Sequence, residues 1–411
     1  MDQKRLYRTI ETAASKNFVN EKELLSEVVK QIVESDLINV TGGRVWKLDP
    51  VNKQYKLLFQ TGKVAKIPEN YTLNVNDYPV LSRITSERTI LADETDSTLI
   101  SKGIFRYSAS GVGRKIKIDG SKYYEYLLAV NSPVIDEDLR YTLNIVATVL
   151  TSKLNERFLS LSQKKLISDI DKAKQLQRSI LPEHEYHFKS YEIFGVTIPA
   201  ETVGGDFYDY LKIGDEDDRL GIAVGDAASK GLAAAAEAMY ISGALRMATT
   251  FQMKIAPMMK RLNQLINKIF SDDRFTSLFY GELSIDKKGL FLYVNAGHNP
   301  PIFYNRENDS FTYLQPTGPL IGPVPNSRFE TDSINFSNGD ILVIYTDGIT
   351  ESANEKYEMY ETKRLEEIIK KTVDLSPKEI ATAILDDVIK FTTNESRYQD
   401  DKTVVVIKRK G

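Results

Sequence analysis

The sequence predicts an α+β chain of two domains joined by a helical segment. Three observations lead there. At 411 residues the chain is longer than one ordinary core uses. Its strand-like runs and helical stripes come in blocks: one block in the first third, and a second in the order strands, two helices, strands, two helices, strand. Between them, apolar residues recur at helical spacing from Leu139 to Ile180. The boundaries read as residues 1–150, a helical linker over 151–182, and 183–411.

Composition narrows the function classes. The net charge of −3 offers nothing to nucleic acid, so no nucleic-acid partner is expected. Cysteine is absent, which removes disulfides, thiolate metal ligands and cysteine nucleophiles and fits a reducing cytoplasm. Met1 to Arg5 has no apolar stretch behind it, so no signal peptide is expected. No apolar run reaches the roughly 18 residues that span a bilayer, so no membrane association is expected. With three histidines (His184, His187 and His298), any metal would sit on oxygen ligands.

In the first third, Glu23 to Val33 carries a helical stripe. Arg44–Leu48 and Gln54–Phe59 read as strands about an Asp49-Pro50-Val51-Asn52 turn. A short helix is expected over Tyr78–Ile84. Strands are expected over Gly103–Tyr107, Arg114–Ile118 and Tyr123–Val130, the last two joined at Asp119-Gly120-Ser121. Helix, antiparallel-looking strands, then a closing helix after Tyr126 to Pro133 resembles a GAF domain over about residues 20–155; a PAS-like domain is the rival. The resemblance implies a sensor that takes a small-molecule or protein signal, and without cysteine a covalently held bilin is excluded. Trp46 and the tyrosines of this part read as core or rim residues rather than ligand contacts.

The stripe Leu139, Leu143, Val146, Leu150, Leu154, Phe158, Leu161 resumes at Leu166 and runs through Ile170, Ala173, Leu176 and Ile180, before Pro182 ends it. A helix this long and apolar on one side wants a partner, so a parallel coiled coil and a homodimer through the linker are expected. The step of five from Leu161 to Leu166 breaks a strict heptad. The competing reading is a domain-closing helix followed by a separate helix packed on the last domain.

In that last domain, strands are expected over Tyr191–Thr197, Leu220–Val224, Ser277–Ile285, Gly289–Asn295, Pro301–Asn305, Gly339–Tyr345 and Thr403–Lys408. Helices are expected over Ser229–Thr250, Pro257–Phe270, Lys363–Val373 and Pro377–Phe391, and a polar turn over Gly214–Asp218. The order suggests a sandwich of sheets flanked by helices. Acids stand at four strand edges: Asp206 in Gly204-Gly205-Asp206, Asp226 after Gly225, Asp347 before Gly348, and the Asp400-Asp401 pair. A single Asp-Gly is usually only a turn. Four in one domain suggest a shared site for hard divalent cations, which prefer carboxylate, carbonyl and water oxygens. Two such ions about 3.5–4 Å apart can share a water and lower its pKa toward neutrality.

Gly204-Gly205-Asp206-Phe207-Tyr208-Asp209, Gly225-Asp226-Ala227-Ala228-Ser229-Lys230-Gly231, Asn295 to Pro301, Tyr345-Thr346-Asp347-Gly348 and Asp400-Asp401-Lys402-Thr403 together resemble the motif series of SpoIIE-type serine/threonine phosphatases. These are the bacterial branch of the PPM phosphatases, and RsbU-like regulators are the nearest type. The resemblance covers about residues 170–411. It implies an αββα sandwich with a binuclear Mn²⁺ or Mg²⁺ centre. It also implies a phosphorylated STAS-domain anti-anti-sigma factor as substrate and partner. Residue by residue, it implies Asp226 as the bridging ligand, the Ala227 carbonyl and Asp206 as ligands, and Asp347 and Asp400 as those completing the site. Asp206 and Asp226 would then activate the metal-bridging water, with Asp401 in support behind the ligands. The family commonly reads Gly-Asp-Val-Ser-Gly-Lys-Gly, and Ala227-Ala228-Ser229 departs from it where that pattern has a flexible glycine.

Asp209 could orient a metal-bound water, or be a solvent-facing turn acid. His298 could protonate a leaving oxygen, or pack a loop fixed by Pro300 and Pro301. Two rivals use the same chain differently. A catalytically silent sensor or scaffold would only bind a partner. A two-metal nuclease would also use carboxylates, but no basic cluster surrounds these motifs. A kinase is disfavoured because neither Gly-x-Gly-x-x-Gly nor a P-loop occurs.

Overall fold

Alternating burial along short strands builds both halves of the chain, which separate into two units, Met1–Lys165 and Leu166–Gly411. The computed structural model describes residues 8, 10–12, 16, 18–35, 38–214, 218–270, 274–285, 288–392 and 400–410. Asp215, Glu216 and Asp217 of the expected polar turn, and Met1 to Arg5, lie outside them.

The first unit runs α1 (Glu21–Glu34), β1 (Gly42–Asp49), β2 (Gln54–Gly62), β3 (Thr72–Asn74), α2 (Val80–Glu87), β4 (Thr89–Asp93), α3 (Ser97–Ser101), β5 (Arg106–Ile118) and β6 (Ser121–Asn131). Its six strands form one antiparallel sheet in the order β3-β2-β1-β6-β5-β4. On one face Val45, Tyr126, Leu128 and Val130 pack under Leu25, Val28 and Val29 of α1 and Leu143, Val146 and Leu150 of the following helix. Trp46, Leu127 and Ala109 point the other way, toward Leu81, Ile84 and Leu99 of α2 and α3. The expected strand Arg114–Ile118 proves to be the end of a longer strand, β5, which takes in only Arg106 and Tyr107 of the expected Gly103–Tyr107, Gly103 to Phe105 lying outside any strand. Its small middle residues hid it: Ser108 and Ser110 are buried, Ser108 Oγ donating to the Ile90 carbonyl at 3.1 Å and Ser110 Oγ lying 2.7 Å from Thr89 Oγ1.

The helix α4 (Glu137–Ile180) is continuous for 44 residues. That excludes the reading of two separate helices. The step between Leu161 and Leu166 breaks the packing stripe, but Ser162 to Lys165 contains no Pro or Gly to break the helix itself. The division between the units falls at Lys165, inside α4, rather than at 150 and 182. Buried side chains on α4 end at Leu154, whereas Leu159, Leu161, Leu166, Ile167 and Leu176 are exposed.

The second unit continues with β7 (Glu185–Phe188), β8 (Tyr191–Ile198), β9 (Phe207–Ile213), β10 (Arg219–Ala227), α5 (Gly231–Thr250), α6 (Ile255–Ile269), β11 (Thr276–Ser284), β12 (Leu290–Ala296), β13 (Ile302–Asn305), β14 (Ser310–Tyr313), β15 (Asp332–Asn335), β16 (Ile341–Tyr345), α7 (Asp347–Thr350), α8 (Glu361–Thr372), α9 (Pro377–Phe391) and β17 (Lys402–Arg409). Two antiparallel sheets result, β15-β12-β11-β10-β9 and β14-β13-β16-β17-β8-β7. Period two sorts their residues into layers. Leu342, Ile344, Val405 and Ile407 face Ile222, Val224, Phe279 and Phe291 of the opposite sheet. Their neighbours Ile341, Val343, Val404 and Val406 face Leu365, Ile369, Ile384 and Val388 of α8 and α9. Ala223, Leu278 and Tyr280 pack on Ile241, Leu245, Met259 and Ile266 of α5 and α6. Helices, sheet, sheet, helices is the αββα sandwich expected, and burial on both faces explains why β16 and β17 read as unbroken apolar runs. Among the described residues no helix is long and apolar enough to cross a membrane.

Candidate metal centre

The five acids enter from the edges of both sheets. Asp206 immediately precedes β9, Asp226 lies at the end of β10, Asp347 begins α7 directly after β16, and Asp400 and Asp401 precede β17. A strand ending at its sheet edge points its last side chains into the same rim, so the sandwich gathers residues that are up to 194 positions apart from Asp206 to Asp400.

Asp206 is buried. Its Oδ2 accepts from Thr346 Oγ1 at 2.6 Å and from Thr403 Oγ1 at 2.7 Å. Burial, and then the neighbouring Asp226, push its carboxyl well above the usual carboxylate range. Asp226 is raised to about 7 by burial and by Asp347, Asp400 and Asp401. Asp347 is raised by burial, Asp400 and Glu351. These acids therefore share one field, which Lys230 and Lys402 balance only in part.

Asp401 performs a different task. Its Oδ1 accepts from the Ala200 amide at 2.7 Å, and its Oδ2 from the amides of Gly205 at 2.6 Å and Asp206 at 3.2 Å. A side chain at Gly204 would run into the Asp401 carboxylate, and one at Gly348 into the Asp401 carbonyl. Those two glycines are thus required by close approach. A Cβ at Gly205 would lie 2.9 Å from the Ala227 carbonyl oxygen. Asp400 is exposed and pairs with Lys230 Nζ at 3.2 Å. Asp226, Ala227, Lys230, Asp400 and Asp401 line one cleft of about 410 Å³.

The donor set fits a hard divalent cation in kind: carboxylates and a backbone carbonyl, crowded and short of countercharge. It is not closed. Among the described residues no group of three His, Cys, Asp or Glu side chains already forms a shell able to hold an ion. Asp206 is turned to the two threonines and Asp400 to Lys230.

Asp209 departs from both expectations. It is buried, and Arg246 donates to it through Nε at 2.7 Å (to Oδ2) and Nη2 at 3.0 Å (to Oδ1), with Ser242 Oγ at 3.0 Å from Oδ2. Because β9 alternates, its side chain faces α5 and is committed to a cation, so it is neither a solvent-facing turn acid nor free to orient a water. The Arg246 Nη2 also donates to the Ile180 carbonyl at 2.6 Å, at the end of α4. His298 is buried, with Nδ1 2.8 Å from Ser277 Oγ and its amide donating to Asn295 Oδ1 at 2.8 Å. Burial pulls its imidazole down to about 4. It holds a loop and is absent from the cleft lining.

Sequence reasoning passed over Thr346, Thr403, Lys230, Arg246 and Glu237. The strings Thr346-Asp347-Gly348 and Asp401-Lys402-Thr403 already set a hydroxyl beside each acid at a strand edge. Buried Glu237 of α5 accepts from Thr276 Oγ1 at 3.0 Å and Ser229 Oγ at 3.4 Å, steadying the loop after Asp226, and only a helical alternation masked by poly-alanine hinted at it.

Residues 216–410 match the family described as "Stage II sporulation protein E (SpoIIE)". That match lies within the second unit, whose residues 216–410 are similar to the SpoIIE family. Among similar proteins, "Phosphoserine phosphatase RsbU" of Bacillus subtilis is 24% identical over 282 residues, covering 68% of this chain and 82% of that protein. "Protein IcfG" of Synechocystis sp. is 30% identical over 269 residues, covering 59% of this chain and 41% of that protein. The solved "SiaA-PP2C domain of Pseudomonas aeruginosa" has a TM-score of 0.51 at 20% identity, covering 61% of this chain and 99% of that one. This last likeness concerns the fold alone.

Proposed function

We propose that this chain is a metal-dependent protein serine/threonine phosphatase that removes phosphate from a phosphorylated STAS-domain anti-anti-sigma factor in a partner-switching pathway. The observation carrying this reading is the convergence of Asp206, Asp226, Asp347 and Asp400 from both sheets into one unbalanced acidic field. Asp206, Asp226, the Ala227 carbonyl, Asp347 and Asp400 would hold two ions, Mn²⁺ or Mg²⁺. When bound, such ions supply Lewis acidity that lowers the pKa of a water and offsets phosphoryl charge. The protein's own part is positional. Asp401 fixes the Gly204–Asp206 backbone, Thr346 and Thr403 orient Asp206, and Lys230 brings a cation to the cleft where a phosphate would enter.

The first unit reads as a GAF-like sensor of this activity. The exposed apolar residues of α4 from Leu159 to Leu176 favour a second copy of the chain as partner, in a parallel coiled coil through which a signal would pass as a change of register. One residue inserted near Leu161 should then uncouple regulation without abolishing turnover.

The test of the substrate class offers phosphorylated STAS-domain proteins to the full chain with Mn²⁺ and measures phosphate release. Release from one of them, much faster than from unrelated phosphopeptides, is expected. Equal rates on all would remove the STAS assignment while leaving a phosphatase. Absence of any metal-dependent release would leave the silent sensor or scaffold.

A further inference from the structure

Beside the acid cluster lies a second cleft for which the metal centre itself has no use. It measures about 400 Å³, and Gly204 and Asp206 line it. The loop after β8 divides it from the cleft of Asp226 and Lys230: Ala200, Glu201 and Val203 line that one, Pro199 and Thr202 this one. The end of α4 adds a further wall through Lys174, Gln177 and Arg178, with Leu181 just beyond the helix. Spacings of i, i+3, i+4 and i+7 put these four on one helical face. A face that served only for packing would be apolar. This one is basic, and it is held in place. Gln177 Nε2 donates to the Gly204 carbonyl at 2.6 Å, and the Gly204 amide donates to Gln177 Oε1 at 3.3 Å. Arg246 holds the Ile180 carbonyl one turn on. Lys174 and Arg178 are therefore carried on a backbone tied to the loop that bears Asp206.

The charges on this face lack partners. Arg140, Lys153 and Lys172 of the same helix each pair with an acid three residues away. Asp171 stands at that spacing from Lys174, yet among the described residues neither Lys174 nor Arg178 has a carboxylate partner. Arg178 sits in the last turn of α4, where the helix dipole favours a cation. Lys174 lies more than a turn earlier and gains nothing from it. Two like charges at i, i+4 repel slightly, so the pair is not there to stabilise the helix. Asp206 is the one carboxylate among the described lining residues, and its charge is the one that bound cations would take up. The cleft is then net positive. The string shows no basic cluster around the acid motifs; folding brings this pair to Asp206 from α4.

We propose that this cleft docks an acidic, extended segment of the phosphoprotein substrate, its carboxylates meeting Lys174 and Arg178 while the phosphorylated residue reaches the acid centre. The spacing fits: four residues of α4 rise about 6 Å, and two residues of an extended chain advance about 6.7 Å with both side chains on one side. Acids two apart therefore match the two cations. Half-buried or exposed charges of this kind select a partner and speed its arrival more than they tighten it. The place given to the phosphorylated residue rests on the phosphatase reading, whereas the preference for acids is a matter of binding and separates from it.

Two labelled peptides test it, each with a non-hydrolysable phosphonate in place of phosphoserine. One carries Glu-Ala-Glu on both sides and the other Gln-Ala-Gln. The full chain with Mn²⁺ is titrated into each, and binding is read by fluorescence anisotropy. The acidic peptide should bind about three- to tenfold more tightly. In the joint variant Lys174→Ala, Arg178→Ala that ratio should fall to within about twofold of one. A ratio is read because a general loss of affinity leaves it unmoved. If the joint variant does not fold, judged by circular dichroism, Lys174→Gln alone serves and should lower the ratio in part. Lys172→Ala removes a cation of α4 that faces Asp169 outside the cleft, so the ratio should persist. A ratio near one in the parent overturns the proposal, as does an undiminished ratio in whichever variant folds, or an equal fall in Lys172→Ala. So does a thymidylate oligomer of equal charge binding more tightly than the acidic peptide, which would make the cleft a nucleic-acid site. Metal-dependent hydrolysis of an aryl phosphate by the parent is measured alongside. Its absence would remove the phosphatase reading, and the peptide ratio would still decide the cleft.

Discussion

Asp401 Oδ2 lies 2.6 Å from the Gly205 amide nitrogen, 196 positions away in the chain. The last strand's leading acid thus clamps the loop that carries Asp206, and Gly204 exists to let it approach. Asp401→Ala should therefore loosen metal binding more than chemistry. The Mn²⁺ concentration for half-maximal hydrolysis of an aryl phosphate is expected to rise about 10–100-fold, with most of kcat recovered at saturating metal. Gly204→Ala should behave alike, since the new methyl displaces the same carboxylate.

Asp209 and Arg246 make the opposite prediction. Arg246→Ala leaves a buried carboxylate with Ser242 and one backbone amide. Arg246 is itself partly exposed, which screens the pair, so the cost is set at about 1–3 kcal/mol in urea unfolding. Its half-maximal metal concentration should stay at the parent value, because Asp209 faces α5. A large rise there would return Asp209 to the metal centre.

The acid cluster sets a pH dependence for the metal-free protein. Asp226 is raised to about 7 from 3.8, so the folded state holds its proton longer than the unfolded chain does. Its favourable contribution is full below about 4 and is lost as pH rises through about 7. Thermal melting in a chelator should therefore fall between pH 5.5 and 8, by an amount on the order of 1–3 kcal/mol. Asp226→Asn should flatten that slope, and added Mn²⁺ should raise the melting point most at the alkaline end.

His298 tests a role rather than a site. Its imidazole is lowered to about 4 by burial, so its contribution is present above about 6.5 and is lost as pH falls through about 4. His298→Gln is expected to destabilise the fold by about 1–3 kcal/mol while kcat stays within a few-fold. A loss of about 10²–10⁴ in kcat from a folded variant would make it a general acid instead.

Much of this was legible because it depends on local pattern. Alternation revealed β8, short apolar runs revealed β10, β16 and β17, and the helical stripe from Pro377 to Phe391 revealed α9, whose start carries a capping box of Ser376 and Glu379. The short strands β3, β7, β14 and β15 were missed, being three or four residues of mixed polarity held by neighbours rather than by their own propensity. The same division runs through the site. Acids beside glycines could be seen in the string, but what each acid touches could not. Asp209 looked like part of the Gly-Gly-Asp motif, yet one step of strand alternation sends it to Arg246 on α5. Asp401, adjacent to Asp400, likewise turns to the backbone while Asp400 meets Lys230.

The central claim is that the four converging acids make a metal-dependent phosphatase, and Asp226 tests it most directly. Phosphate release from an aryl phosphate is measured with and without Mn²⁺ for the parent and for Asp226→Ala, with folding of both checked by circular dichroism. The account predicts release by the parent only with metal, and loss of at least about 10³-fold in the folded variant. Undiminished metal-dependent release by Asp226→Ala would contradict it.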